Sequence, residues 1–430
     1  MNILFVHQNF PGQFKFLAPA LAELDHNVFA MTMQRVDFQE WNKVKIIPYA
    51  VNRSTSSNIH PWISETETKV IRGEAFFKAA LNLKKNGFYP DIVIAHPGWG
   101  ETIFLKDVWP KTRLGIYCEF FYHAEGADFG FDPEYNHLND DDRCKLRLKN
   151  INNLLHLEIA DLGISPTHWQ ASTFPERFKS KIKVIHDGID TTEVVPNPNV
   201  RITLNNRYNL SKKDEIITFV NRNLEPYRGF HIFMRALPEL LQKRKNARVL
   251  IVGGNNISYG AKPILELNGA SSWKDVFISE VKPKLDESDW SRIHFLGNIP
   301  YNQFIPLLQI SSVHVYLTYP FVLSWSLLEA MSAGCSIVAS NTKPLHEAIR
   351  HNETGRLVPF FDKETLIENI CDLLSNEEER YRLGSNAREF AIKNYDLKKV
   401  CLPQQLDWVD ALSKFCLLYT SDAADDTPCV

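Results

Sequence analysis

Short apolar runs alternate along this chain with stretches whose apolar residues recur every three or four positions. Residues 2–6 form a buried-type strand run that ends in the turn 7–12, and over 13–24 Phe14, Leu17, Leu21 and Leu24 share one helical face. Strand-like runs follow at 27–33, 46–49, 91–95 and 113–119, and the spacing predicts helices over 65–86 and 141–160. The segment 194–206, VVPNPNVRITLNN, carries two prolines and four asparagines and reads as a connection. Beyond it the alternation restarts, with strands at 216–221, 248–252, 293–296, 313–317 and 336–340 and helices at 230–243, 302–309 and 326–333. Residues 363–411 are mostly helical. Strand–helix alternation implies parallel strands joined by right-handed crossovers. The pattern therefore predicts an α/β chain of two doubly wound domains, 1–193 and 207–396, with a linker at 194–206. Their cleft would lie at the carboxyl ends of both sheets. No internal repeat points to a solenoid.

Composition narrows the function classes. The 430 residues are 44% hydrophobic, more than one core can use, since single cores stop growing near ~250–300 residues. The 48 Lys+Arg against 51 Asp+Glu leave a net charge of -3, without the basic excess of a nucleic-acid binder, and no nucleic-acid partner is expected. No basic region precedes the first apolar run, and no stretch reaches the ~18 apolar residues of a membrane span, so neither a secretory signal nor a transmembrane helix is predicted. The seven cysteines form no CxxC pair and no zinc spacing, which fits reduced thiols and a cytoplasmic location. Lys84-Lys85 and the trio Lys179, Lys181 and Lys183 could dock on an anionic membrane surface from the cytoplasmic side, or simply form a solvated face. The final residues, CLLYTSDAADDTPCV at 416–430, continue no pattern and resemble the translated read-through of a sequencing adapter, so they are set apart from functional reasoning.

The sharper chemical signals lie in the second half. The strand at 216–221 runs into NRNLEPYRGF, which offers Arg222, Arg228 and Gly229 just ahead of a helix. Two cations at a strand end beside a helix N-terminus suit a phosphate clamp, because guanidinium groups bind phosphate oxygens bidentately and the helix dipole adds favourable field. Two solvated surface arginines are the plainer alternative. In YPFVLSWSLLEAM, Ser324 or Ser326 can cap a helix and leave its first backbone amides free for an anion. Glu329 sits among Leu327, Leu328, Ala330 and Met331, and a carboxylate buried there needs a partner, such as ribose hydroxyls. In the first half, HPGWGE (96–101) follows a strand and presents a tryptophan that could stack on a sugar ring. The loop 116–132 gathers aromatics with Glu119, His123 and Glu125.

The Arg-x5-Arg-Gly element and LLEAMSAGCSIVAS, in this order and spacing, resemble the retaining glycosyltransferases of family 4. VIHDGID (184–190), RVLIVGG (248–254), IHFLGNIP (293–300) and NETGRLV (352–358) support the resemblance, which covers nearly all of the chain to about residue 411. It implies the GT-B architecture, two Rossmann-like domains facing a central cleft, with a final helix at about 397–411 returning to the first domain. It implies that Arg222 and Arg228 neutralise a donor diphosphate, Arg228 standing where the family usually has lysine, and that Glu329 binds the ribose. Backbone amides around Leu323, Ser324, Trp325 and Ser326 would hold a phosphate and part of the sugar, and backbone atoms of Gly297, Asn298 and Ile299 the base. Gly12 would let the first domain's backbone approach the donor. A histidine that touches the donor sugar is expected near the end of the strand at 113–119, with His123 the candidate and Glu119 the reserve.

The resemblance implies a retaining transfer from a UDP- or GDP-sugar to a glycan or lipid-linked acceptor, with no metal and no further cofactor. One position departs from it: of two glutamates that the family separates by seven residues, the first falls on Phe321. Phenylalanine cannot accept a hydrogen bond from a sugar hydroxyl, so a catalytically silent sugar-nucleotide-binding partner stays open beside the transferase, and the shared architecture leaves a sugar-nucleotide epimerase as a third reading.

Overall fold

A computed structural model describes residues 1–35, 38–263 and 271–414; the segment 416–430 lies outside the described residues. Eight strands form the first sheet: β1 (Asn2–Val6), β2 (Asn27–Thr32), β3 (Glu40–Trp41), β4 (Val44–Pro48), β5 (Ile92–Ala95), β6 (Arg113–Tyr117), β7 (Leu162–Ser165) and β8 (Ile182–Val184). Their order is β3-β4-β2-β1-β5-β6-β7-β8, parallel throughout except for β3 against β4. A hairpin of β9 (Arg201–Leu204) and β10 (Tyr208–Ser211) follows. The second sheet is built from β11 (Ile216–Asn223), β12 (Arg248–Gly254), β13 (Ile293–Gly297), β14 (Val313–Tyr316), β15 (Ile337–Ser340) and β16 (Arg356–Val358), all parallel, in the order β13-β12-β11-β14-β15-β16. The fold is the two-domain α/β class read from the sequence.

A parallel sheet is covered on both faces, so its central strands are apolar throughout. In β1 the residues Ile3, Leu4, Phe5 and Val6 are all buried, and the strand's period of two divides them. Ile3 and Phe5 join the core beneath helix α1 (Leu17–Glu23), while Leu4 and Val6 join the core that holds Phe76 of the long helix α2 (Ser64–Lys85). Helix α3 (Phe230–Lys243) covers β11 in the second sheet, stacking Phe233 on Phe219 with ring centroids 4.5 Å apart. Near the carboxyl end, helix α4 (Leu402–Lys414) lies back on the first sheet. Trp408 and Leu412 press on β6 so closely that a Cβ on Gly115 would stand 2.5 Å from the Trp408 ring.

Three segments differ from the sequence expectation. The helix expected over 141–160 is two helices, Asp140–Lys149 and Ile151–Ile159, parted at Asn150. That side chain turns aside to bond Tyr122, accepting from its N–H at 3.0 Å and donating to its carbonyl at 2.7 Å. The second half of the expected linker is the strand β9, reversed through Asn205 and Asn206, both at φ 52, a conformation asparagine tolerates better than most residues. Strands β7 and β8, of four and three residues, have no counterpart among the strands expected from the sequence.

Strand order places two sites. The first sheet reverses direction between β1 and β5, and the second between β11 and β14. In open α/β sheets ligands bind beyond the carboxyl ends of strands at such a reversal. Among the described residues no helix is long and apolar enough to cross a membrane.

Candidate active site

At the reversal of the second sheet, β11 ends in the tight turn Pro226–Arg228, closed by Gly229 at φ 68. A Cβ on Gly229 would meet Leu317 at 2.3 Å, so the turn packs against the end of β14 only with glycine there. This geometry sinks Arg228 into the crevice at 7% exposure. Its guanidinium donates to Thr318 Oγ1 at 2.8 Å and to the Tyr316 hydroxyl at 3.4 Å, and lies 5.0 Å from the Tyr259 ring. Among the described residues no carboxylate pairs with it. A buried cation whose bonds go to hydroxyls and an aromatic face keeps capacity for an anion. Beside it begins the helix Trp325–Ser332, whose cap Ser324 accepts from the Ser326 N–H at 3.4 Å. Arg222, next to the last residue of β11, is exposed.

The first sheet's reversal brings together His7, just past β1, and His96, just past β5, with ring centroids 5.4 Å apart. His7 accepts from the Asn9 N–H at Nδ1 (3.0 Å), so its Nε2 carries the proton that faces Gln13 Oε1 at 2.8 Å. Burial, with His96 adding to it, lowers His7 to about 3 and keeps it neutral. Gly12, at φ 48, closes the turn directly on this ring, and a Cβ there would lie 2.4 Å from it. His96 Nδ1 accepts from the Gly98 N–H at 3.2 Å, which points Nε2 toward Glu119, 3.6 Å away. Burial alone would raise the Glu119 carboxyl, but His96, His7 and Arg222 outweigh it and hold it below its ordinary value. Glu101, at the end of the same turn, is 1% exposed with neither oxygen partnered among the described residues, and burial pushes its carboxyl up to about 7.

The two halves are joined across the crevice. The segment 124–138 of the first half lies on the second: the Tyr227 hydroxyl donates to Asp128 at 2.5 Å, Tyr319 donates to Asp132, and Arg235 makes paired bonds of 2.6 and 2.7 Å to Glu134. Asp187 is a buried bridge that accepts from the Tyr117 hydroxyl at 3.0 Å and from Trp325 Nε1 at 2.8 Å. Phe321 fills the centre. It is 4% exposed, its ring is 4.6 Å from Phe120, 5.2 Å from Tyr259 and 5.6 Å from Tyr227, and its carbonyl accepts from Trp169 Nε1 at 2.7 Å.

Comparison with known proteins decides the family. A model of the glycosyl transferase family 4 group matches residues 24–194, and one of glycosyl transferases group 1 matches residues 200–390. The chain belongs to the family 4 glycosyltransferases. It is 27% identical over 240 residues to spore coat protein SA of Bacillus subtilis, covering 53% of this chain and 58% of that protein. It is 28% identical over 239 residues to the D-inositol 3-phosphate glycosyltransferase of Corynebacterium efficiens, covering 54% and 50%. The chain thus spans about half the length of the curated relatives it matches. Sucrose-phosphate synthase from Thermosynechococcus elongatus shares the fold with a TM-score of 0.71 over 96% of this chain and 99% of that one, at 17% identity. Anabaena HepE, solved in complex with UDP-glucose, shares it at 0.65 over 96% and 100%, at 15% identity.

The residues singled out in the sequence are distributed over both halves of the chain. Arg228, Leu323, Ser324, Trp325 and Ser326 stand together at the second reversal, although the Leu323 N–H already meets Gln170 Oε1 at 3.4 Å. Glu329 is 8% exposed and accepts from the Tyr301 hydroxyl at 2.9 Å; burial raises its carboxyl. It opens, with Trp325, onto a cavity of about 520 Å³ shared with Lys15 and Asp190. Gly297 ends β13, and Asn298, which follows with Ile299, lies close to Gly254. His123 is exposed, and its Nε2 is 2.6 Å from the Thr173 carbonyl. Glu119 and the histidine one strand over, His96, occupy the strand end instead. His7, His96 and Asp187 were not singled out in the sequence as site residues. A histidine directly after each of two strands was the available signal, and it became meaningful only once those strands were adjacent. The lysines proposed for a membrane surface are partly engaged, Lys84 with the Val108 carbonyl at 2.6 Å and Lys181 with that of Ala160 at 3.0 Å. Among the described residues no group of three His, Cys, Asp or Glu side chains could hold a metal.

Proposed function

We propose that this glycosyltransferase moves a sugar, with retention, from a UDP- or GDP-sugar to a glycan or lipid-linked acceptor. The observation that carries the reading is Arg228, a buried cation at the second sheet's reversal whose partners are hydroxyls, beside the start of the helix Trp325–Ser332. A diphosphate there would meet one fixed and one exposed guanidinium, Arg228 and Arg222, together with the helix dipole. Glu329 would take the ribose hydroxyls in place of the Tyr301 hydroxyl that now bonds it, and the turn Gly297–Ile299 the base. In the reaction the bond between the sugar's anomeric carbon and the diphosphate oxygen breaks, and its electron pair leaves with the phosphate. The acceptor oxygen bonds the same face of the anomeric carbon, and its proton passes to that phosphate oxygen. Charge on the leaving group is met by the arginines, so the step calls for no metal. The names of relatives, a GDP-mannose-dependent mannosyltransferase of Mycolicibacterium smegmatis and HepE with UDP-glucose, support a UDP- or GDP-sugar as the donor class.

The test is nucleotide binding and sugar transfer in Arg228→Ala against the parent chain. Abolished binding of UDP and GDP with unchanged folding is the expected outcome; turnover at the parent's rate would refute the clamp. Retention is read from the anomeric configuration of the product by NMR. A second reading is favoured by one observation, the burial of Phe321 where the family pattern has a glutamate: the chain would bind a sugar nucleotide without transferring it. Nucleotide binding with no transfer or hydrolysis in any donor and acceptor pairing would support it.

A further inference from the structure

Beyond β5 and β6 the first half holds a cavity of about 350 Å³, within the ~300–1,000 Å³ range of ligand sites, which the donor chemistry leaves unused. Three cations line it: Lys69, Arg72 and Lys149. Lys69 is 7% exposed, and its ammonium lies 3.1 Å from Glu65. The same Glu65 oxygen is 3.7 Å from the Lys149 ammonium, so one carboxylate serves two cations. Arg72 has no ion pair or hydrogen bond among the described residues, and Glu101, on which its charge acts, is held substantially protonated near neutrality by burial. Against these three cations the lining carries two carboxylates, Glu65 and Glu119, so positive charge still exceeds its compensation at the wall of a concave site, where field lines are focused. The cavity also offers an unfilled acceptor. Asn152, 4% exposed, donates through Nδ2 to the Pro97 carbonyl at 2.6 Å and leaves Oδ1 without a partner. A buried amide oxygen of this kind calls for a hydroxyl or N–H from a bound molecule. Glu119 lines the same cavity and is close enough to Arg222 to be shifted by its charge, which connects this space to the donor side of the crevice.

We propose that this cavity binds the acceptor, and that the acceptor is a polyhydroxylated molecule carrying a phosphate or carboxylate group held by Lys69, Arg72 and Lys149. The inference rests on the transferase reading of the site and names the acceptor class for it. The cations hold the charged substituent, Asn152 Oδ1 accepts from a ring hydroxyl, and the reacting hydroxyl is left on the Glu119 side.

Calorimetric titration of the full chain with glucose 6-phosphate, glucuronate and glucose tests this directly. The charged sugars bind, and glucose at the same concentration does not. The double variant R72A/K149A, both of whose side chains are partly exposed, weakens the charged sugars by about tenfold or more and leaves UDP and GDP affinity unchanged. Arg228→Ala weakens the nucleotides and not the charged sugars. Charged sugars that bind no better than glucose, or that bind R72A/K149A as tightly as the parent, overturn the proposal. Nucleotides that fail to bind the parent while charged sugars still do so would sink the donor-site reading and uphold the anion site. Pelleting with phosphatidylglycerol vesicles but not phosphatidylcholine vesicles, lost in R72A/K149A, assigns the anion to a lipid; charged-sugar binding without pelleting assigns it to a soluble acceptor.

Discussion

Replacing Glu101 by glutamine should stabilise the protein at alkaline pH and do little at acid pH. The carboxyl is 1% exposed, and neither oxygen finds a donor among the described residues. Burial raises it from the ordinary 4.5 to about 7, against weaker opposing effects of its own backbone, Arg72 and His96. Below 4.5 the group is protonated folded and unfolded, and costs nothing. Between 4.5 and 7 the unfolded chain has already released the proton that the folded chain retains, so stability falls as pH rises. Above 7 both states are ionised and the penalty is constant. At roughly 1.4 kcal/mol per pH unit, the cost grows from under about 1 kcal/mol at pH 5 to about 3 kcal/mol at pH 8. Glutamine has nearly the same shape and never ionises, so Glu101→Gln should gain that difference. Thermal unfolding of both proteins at pH 5, 6.5 and 8 measures it, and a gain that widens with pH is expected. A difference independent of pH would refute the desolvation argument. Loss of stability at every pH would show that the carboxylate has a partner that glutamine cannot serve.

Other consequences can be checked in the same way. Phe321→Ala removes a ring packed between Phe120, Tyr227 and Tyr259; a loss of about 3–5 kcal/mol is expected in denaturant unfolding, and a loss below about 1 kcal/mol would show that the ring does not join the two halves. Gly115→Ala puts a methyl group 2.5 Å from Trp408 and should cost about 1–3 kcal/mol by overpacking. The companion double variant Trp408→Ala/Leu412→Ala removes both side chains that such a methyl group would meet, at 2.5 and 2.7 Å, and should make Gly115→Ala nearly neutral in a mutant cycle; simple additivity would place helix α4 elsewhere. Gly12→Ala forces a methyl group to within 2.4 Å of the His7 ring at a left-handed φ, and circular dichroism with transfer activity should show a folded chain of strongly reduced turnover, whereas full turnover would separate the His7 turn from the site.

Local patterning along the chain specifies the set of elements and their class. The apolar runs at β1, β5, β11 and β12 are legible because a parallel strand buried on both faces must be apolar at consecutive positions, and α2 and α3 because one helical face must be. The clamp segment around Arg228 and the helix start at Ser324 were also legible, since a cation before Gly229 and a serine before an apolar helix are local signals. Long-range packing sets which strands lie side by side. It set His7 against His96 across 89 residues of chain, placed Glu119 rather than His123 at their side, and brought Lys69 and Lys149 to one carboxylate. It also made Phe321 a packed ring between the two halves instead of a polar group facing a sugar. These are contacts between distant segments, fixed by strand order and by the crossing of the crevice, and the local patterns that shape each element carry no information about either.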